Sequence, residues 1–153
     1  MPTREVYTRQ LHQIQDEVLL LGSMVEQAML DAVDALKRRD IPAAKKMYER
    51  DAQINEKRFA IENAVLILIA TQAPMAHDLR VLASILEIIT ELERMGDYAK
   101  GIGKVVVRLE EAQVPVPMRE ISRMAELAVG MLHRALSAFI EARVCCSSFN
   151  NRS

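Results

Sequence analysis

The feature that most constrains this chain is a spacing of apolar side chains by three or four positions, repeated along nearly all of its 153 residues. Such spacing places the apolar side chains in one stripe along a helix, and it predicts amphipathic helices that bury the stripe. The pattern is interrupted around Pro42, Pro74 and the segment Val114-Pro115-Val116-Pro117. Because proline removes a backbone donor and restricts the residue before it, these positions are predicted to separate consecutive helices.

Four long helices are therefore predicted, over residues 6–38, 42–70, 74–113 and 117–144. The content of aromatic residues is 4% and tryptophan is absent, which also points away from a β architecture. Long helices with short connections are typical of an antiparallel, up-and-down bundle. The predicted fold class is all-α.

Charge and hydropathy exclude several classes of function. The net charge is −1, from 20 basic and 21 acidic residues, so no field attracts nucleic acid. The longest apolar run, Ala64 to Ala70, is far shorter than the about 18 residues that a membrane span needs. No signal peptide is recognisable, and the adjacent Cys145 and Cys146 suggest no disulfide framework. We expect a cytoplasmic protein without a nucleic-acid partner and without direct membrane insertion.

Polar residues of chemical interest are concentrated on the second and third helices. Glu93 and Asp97 are four residues apart and share a helix face. Asp51 lies on or beside the apolar stripe of the second helix, where an unpaired charge is costly. A metal cation held between facing helices by oxygen ligands from Asp51, Asn55, Glu93 and Asp97 would satisfy all four side chains together.

Ion pairing is the alternative interpretation of the same residues. Glu93 and Asp97 would then form salt bridges with Arg94, Lys100 or Arg58, which is the commoner fate of charges on helices. Spacing alone favours the ion pairs over the metal, and both interpretations stay open at this point.

The sequence contains few features that would indicate catalysis. The three histidines lie on three different predicted helices, and no phosphate-binding glycine loop or nucleophile motif occurs. No catalytic and no cofactor-binding residue is predicted, and the chain is expected not to be an enzyme. Gly96 inside the third helix costs about 1 kcal/mol relative to alanine, which either a close helix approach or ligand access would explain.

Two longer stretches carry a resemblance to a known family. Residues 69–80 (IATQAPMAHDLR) form a turn motif, and residues 91–99 (ELERMGDYA) form a helix motif. Together they resemble the signature of the PhoU family of phosphate-transport accessory and regulatory proteins. The resemblance extends over residues 7–139.

The resemblance implies a fold of three-helix repeats, the first of them formed here by residues 1–114. It also implies a cofactor, because metal clusters occur in some members at acidic motifs with carboxylates four residues apart. That pattern falls on Glu93 and Asp97, with Asp51 and Asn55 as neighbouring candidates. A metal ion or cluster, of iron or zinc, is the cofactor expected from the resemblance.

The resemblance implies a function as well. PhoU proteins act with the ATPase of the Pst phosphate transporter and with the membrane-bound, phosphate-sensing histidine kinase. Through these partners they repress phosphate uptake and the phosphate-starvation response when phosphate is plentiful. Such a negative regulator of the Pho regulon needs exposed helical surfaces for binding rather than a catalytic pocket.

The family has two such repeats, and this sequence departs from that pattern after residue 114. Residues 135–139 match residues 32–36 in apolar placement, so residues 115–144 are predicted to be the first helix of an incomplete second repeat. Residues 145–153 are predicted to form a disordered tail, and the chain is expected to be a C-terminally truncated form. The extra helix has an apolar face that must be covered, either by the first bundle or by a partner chain, and of these a homodimer is expected.

Two functions thus follow from the sequence. The first is the regulatory adaptor, and the second is a carboxylate-bundle metal-binding protein with a storage or redox role. Ferritin-like and di-iron bundles use Glu-x-x-His motifs, and none occurs in this sequence. That difference favours the adaptor.

Overall fold

The computed structural model describes residues 4–112 and 114–150, together with their side chains except those of residues 111 and 143–150. The described residues form four α-helices and no strand: α1 (Arg4–Arg38), α2 (Ile41–Gln72), α3 (Ala76–Ala112) and α4 (Met118–Asn150). The all-α prediction is confirmed. The helix ends agree with the predicted ones to within two residues, except at the end of α4.

The chain divides into two units, Met1–Pro115 and Val116–Ser153. In the first unit α1, α2 and α3 each pack against the other two, as an antiparallel three-helix bundle requires. The division falls inside the Val-Pro-Val-Pro segment, the one linker signal in the sequence.

The second unit contains α4, which continues to Asn150. The helix therefore runs through residues 145–150, where the sequence predicts a disordered tail, and residues 151–153 of that tail lie outside the described residues. Serine, asparagine and cysteine are poor helix formers, but neither glycine nor proline occurs between residues 145 and 150 to end a helix.

The core of the bundle consists of the apolar stripes that define the helices. Each fully buried aliphatic side chain contributes about 1.5–3 kcal/mol relative to an exposed one, so these stripes supply most of the driving force for folding. The largest side chains of the core are Val18, Leu21 and Val25 of α1, Ile54, Ile61 and Val65 of α2, and Leu82, Ile85, Ile89 and Val106 of α3.

The corner between α1 and α2 is fixed by backbone and side-chain hydrogen bonds. Arg39 adopts a left-handed conformation with φ 51°, which costs a non-glycine residue about 1–2 kcal/mol. This conformation lets the amide of Asp40 donate to the carbonyl of Ala35 at 2.9 Å, which closes the end of α1. Asp40 then caps α2, because its Oδ1 accepts from the amide of Ala43 at 2.9 Å. The Arg39 guanidinium donates to the carbonyl of Val114 at 2.8 Å and so ties the segment after α3 to this corner.

The connection between α2 and α3 is shorter. Ala73 is left-handed, with φ 44°, and its amide donates to the carbonyl of Ile69 at 3.3 Å. Pro74 follows and prevents α2 from continuing. The turn motif of residues 69–80 therefore forms the end of α2, the connection and the first turn of α3.

Two glycines of α3 allow a close approach to α2. A Cβ atom on Gly103 would lie 2.9 Å from the carbonyl oxygen of Ala44 and 3.2 Å from the Cβ of Met47. A Cβ atom on Gly96 would lie 3.1 Å from the Cδ1 of Ile54. Close helix approach is thus the observed reason for Gly96, rather than ligand access.

We also find no helix, within residues 4–112 and 114–150, whose length and apolarity would suffice to cross a bilayer.

The close approach of α2 and α3 predicts opposite effects for two glycine substitutions. Gly103→Ala is expected to lower the free energy of unfolding by about 1–3 kcal/mol, because the new methyl group meets a backbone oxygen that cannot move away cheaply. Gly101→Ala is the matched control, since a Cβ atom there meets nothing within 4 Å. It should stabilise the protein by up to about 1 kcal/mol through helix propensity. Urea unfolding followed by circular dichroism measures both, and equal stability of the two variants would contradict this packing.

Candidate functional site

The predicted metal ligands lie on facing surfaces of α2 and α3. Asp51 is 9% exposed, which makes it one of the two buried polar residues of the described core. The amide of Asn55, one turn later on α2, lies 3.5 Å from the Oδ2 of Asp51. Glu93 and Asp97 lie one turn apart on α3. We call the four residues Asp51, Asn55, Glu93 and Asp97 the carboxylate cluster.

Lys100 joins the two helices within this cluster. Its Nζ lies 2.7 Å from the Oδ2 of Asp51 on α2 and 2.7 Å from the Oδ1 of Asp97 on its own helix. Both distances are those of charge-assisted hydrogen bonds. The expectation that the buried Asp51 requires a partner is confirmed, and the partner is this ammonium group.

Glu93 has a separate basic partner. The Nε of Arg58 lies 3.4 Å from the Oε2 of Glu93, and another nitrogen of the same guanidinium pairs with Glu62. The guanidinium carbon also lies 4.4 Å from the centre of the Phe59 ring, at cation–π distance. Arg58 therefore links α2 to α3 a little further along the same interface.

Each of these carboxylates is thus held by a cation of the chain itself. Two of the three bases considered in the ion-pair interpretation, Lys100 and Arg58, make those contacts. The third, Arg94, instead pairs with Glu91 on the exposed side of α3. The ion-pair interpretation describes the observed side-chain contacts.

The ion pair of Lys100 with Asp97 favours the charged forms of both groups. Hydrogen bonding to Asp51, and then to Asp97, raises the pKa of Lys100 above its usual value, against the opposing effect of burial. Hydrogen bonding to Lys100 lowers the pKa of Asp97 below its usual value. Lys100 is therefore a cation and Asp97 an anion throughout the physiological range.

The arrangement of these side chains does not fit the metal cofactor that the family resemblance implies. A cation bound by both Asp51 and Asp97 would occupy the position between their oxygens, where the ammonium group of Lys100 lies. In the part of the chain that the structure describes, no three His, Cys, Asp or Glu side chains are grouped so as to hold a metal ion. The metal-ligand role of Asp51, Asn55, Glu93 and Asp97 stays a prediction.

An apolar groove between α1 and α2 was not identified from the sequence. It encloses about 350 Å³ and is lined by Gln10, Gln13, Ile14, Glu17, Ala60, Ile61, Ala64, Ile67 and Leu68. Ile67 in this groove is 61% exposed and its neighbour Leu66 is 51% exposed, whereas Val65 and Leu68 are buried in the core. The signal in the sequence was the uninterrupted run Ala64 to Ala70, which supplies more apolar side chains than one stripe needs.

The partly buried ion pair predicts a measurable coupling energy. A double-mutant cycle of Asp51→Asn and Lys100→Met should give a coupling of about 1–3 kcal/mol in the free energy of unfolding, because both groups lose water on folding. The exposed pair Glu91–Arg94 is the matched control, and Glu91→Gln with Arg94→Met should give a much smaller coupling, because both charges stay hydrated in the folded chain. Urea denaturation supplies the values, and equal couplings in the two cycles would show that burial adds nothing to the Asp51–Lys100 contact.

Comparisons with known proteins identify the family of the bundle. Residues 18–106 match the PhoU domain. The chain is 34% identical, over 140 residues, to the phosphate-specific transport system accessory protein PhoU homolog of Clostridium acetobutylicum, with 91% of this chain and 64% of that protein covered. It is 33% identical, over 133 residues, to the phosphate-specific transport system accessory protein PhoU of Escherichia coli K12, with 87% and 55% covered.

Solved structures agree with these sequence matches. The crystal structure of the phosphate transport system regulatory protein PhoU from Streptococcus pneumoniae superposes with a TM-score of 0.79 at 34% identity, and covers 87% of this chain and 62% of that one. PhoU from Pseudomonas aeruginosa superposes with a TM-score of 0.82 at 31% identity, and covers 88% and 65%. The chain spans between 55% and 65% of the length of these relatives. This chain belongs to the PhoU family.

Proposed function

We propose that the chain is a regulatory adaptor of phosphate homeostasis. It lowers phosphate uptake and represses the phosphate-starvation response by binding the ATPase of the phosphate-specific transporter and the phosphate-sensing histidine kinase. Family membership supports this proposal, because the similar proteins are named as accessory and regulatory proteins of phosphate transport. The adaptor acts by binding and not by catalysing a reaction.

The observation that carries the proposal is the apolar groove between α1 and α2. One stripe of the second half of α2 fills the core, with Ile61, Val65 and Leu68 buried. Leu66 and Ile67 lie on another side of the same helix, outside that core, and are exposed. A groove between two helices with mostly aliphatic walls suits an amphipathic helix of the partner.

We assign the groove to the ATPase of the transporter, because the relatives are named for the transport system. The partner segment is then a helix with an apolar stripe, since the groove walls are mostly aliphatic. Gln10, Gln13 and Glu17 at the edge of the groove supply polar groups that would fix the register of such a helix.

The cellular location and the oligomeric state belong to the same proposal. The adaptor is proposed to be cytoplasmic, because an ATPase and a histidine kinase both use ATP, which is a cytoplasmic substrate. The apolar stripe of α4, which includes Ile121, Met124 and Met131, is covered by a second copy, so the adaptor is a homodimer. Sedimentation velocity at several concentrations tests the dimer, and a constant monomer mass over the whole range would contradict it.

Charge introduced into the groove should abolish binding of the ATPase. Ile67→Asp is expected to weaken the affinity by about thirtyfold or more, because a carboxylate there would lose its hydration in an apolar contact. Val105→Asp is the matched control, since Val105 is an exposed aliphatic residue on α3 outside the groove. Isothermal titration with purified ATPase subunit measures both affinities, and circular dichroism verifies that both variants are folded.

The outcomes test two statements separately: that the chain is an adaptor, and that the groove is its contact surface. If the wild-type chain binds neither the ATPase nor the kinase, the adaptor function is wrong. If it binds the ATPase and Ile67→Asp binds equally well, the adaptor function stands and the groove is not the contact surface. If Val105→Asp loses as much affinity as Ile67→Asp, the contact extends to α3.

A further inference from the structure

We infer that Lys100 is a built-in cation that takes the place of a divalent metal ion in the carboxylate cluster, so that the cluster becomes open to metal only when this lysine is removed. This exchange of cations takes place at the interface of α2 and α3, away from the groove between α1 and α2.

The first support is the position of the ammonium group. Its Nζ lies at the same distance, 2.7 Å, from one carboxylate oxygen of Asp51 and one of Asp97. A divalent ion bridging the same two helices would also lie between these oxygens, at about 2.0–2.6 Å from each. The ammonium group and a metal ion therefore compete for one position and cannot be bound there together.

The second support is an unused acceptor beside that position. Oδ2 of Asp51 lies within reach of both Lys100 and Asn55, whereas Oδ1 is buried and has no hydrogen-bond partner among the described residues. A lysine has three donors but is a single point charge, and in this geometry it satisfies only one oxygen of Asp51. A metal ion could bind both oxygens of that carboxylate.

The third support is that each carboxylate of the cluster contacts a basic side chain. Lys100 contacts two carboxylates of the cluster, and Arg58 contacts the third, Glu93. Both basic residues are largely shielded, with 21% and 18% of their side chains exposed. The chain thus carries its own positive charge at the carboxylates that the family resemblance assigns to a metal.

Removal of the ammonium group should create a metal site. Lys100→Met keeps the length of the apolar stem and leaves Asp51, Asp97 and the amide of Asn55 around a vacated position. Mn²⁺ is the probe, because carboxylate and amide oxygens suit it and free Mn²⁺ is counted by its electron paramagnetic resonance signal. Lys100→Met should bind one Mn²⁺ per chain with an affinity roughly tenfold or more above that of the wild type, and its thermal unfolding should shift upward with Mn²⁺.

Three controls make the result specific. Lys104→Met removes an exposed lysine one turn later on α3 and should behave as the wild type does. The double variant Lys100→Met, Asp51→Asn should lose the gained Mn²⁺, which places the ion in the cluster. Lys100→Ala replaces Lys100→Met in the same titration if the latter does not fold, because alanine favours the helix and also leaves the position between the carboxylates open.

Two results would overturn the inference. One is a folded Lys100 variant that binds Mn²⁺ no better than Lys104→Met, since Lys100 would then be an ordinary interhelical salt bridge. The other is a wild-type chain that binds one Mn²⁺ or Zn²⁺ as tightly as the Lys100 variant and loses it on Glu93→Ala, Asp97→Ala substitution, since the ammonium group would then not occupy the site.

Discussion

The close contact of α2 with α3 is the constraint on which the rest of the structure depends. Gly96, Lys100 and Gly103 recur on α3 at intervals of four and three residues, so they share one face of the helix. The two glycines bring that face against Ile54 and Ala44 of α2. With the backbones this near, Lys100 between them reaches the buried carboxylate across the interface. A larger side chain at Gly103 would meet the carbonyl oxygen of Ala44, and moving the two helices apart to make room for it would lengthen the contact of Lys100 with Asp51.

Much of the fold follows from the sequence because its strongest signals are local. The apolar stripes specify where helices run, and the prolines at residues 42, 74 and 115 specify where they end to within a few residues. The last helix was harder to place because residues 145–150 contain poor helix formers but no residue that ends a helix. The left-handed backbone of Arg39 could not be foreseen either, since glycine normally adopts it, and a non-glycine residue is held there by the hydrogen bonds of the corner.

The site was predictable only in part, because it depends on how two helices are rotated against each other. The position of Asp51 on an apolar stripe showed that this carboxylate required a partner. Lys100 was considered only as a partner of residues on its own helix, and its contact with Asp51 spans 49 positions of sequence.

The groove between α1 and α2 was missed for another reason. The apolar run from Ala64 to Ala70 was weighed as a membrane span and set aside, although an apolar helix that is too short to span a bilayer still has to cover its outer face.

The carboxylate cluster and the apolar groove both include residues of α2. The first half of this helix is charged on its inner side, and the second half is apolar on its outer side. The first half of the helix presents Asp51, Asn55 and Arg58 to α3, where each carboxylate of the cluster contacts a lysine or an arginine of the chain. The second half presents Ala64 and Ile67 to the groove, where aliphatic surface remains exposed. Attraction of the proposed partner to the groove would therefore arise mainly from the removal of apolar surface from water, and ionic strength changes this contribution little. The ion pairs between α2 and α3 stabilise the bundle, whereas the proposed recognition of a partner at the groove would depend on shape and apolarity.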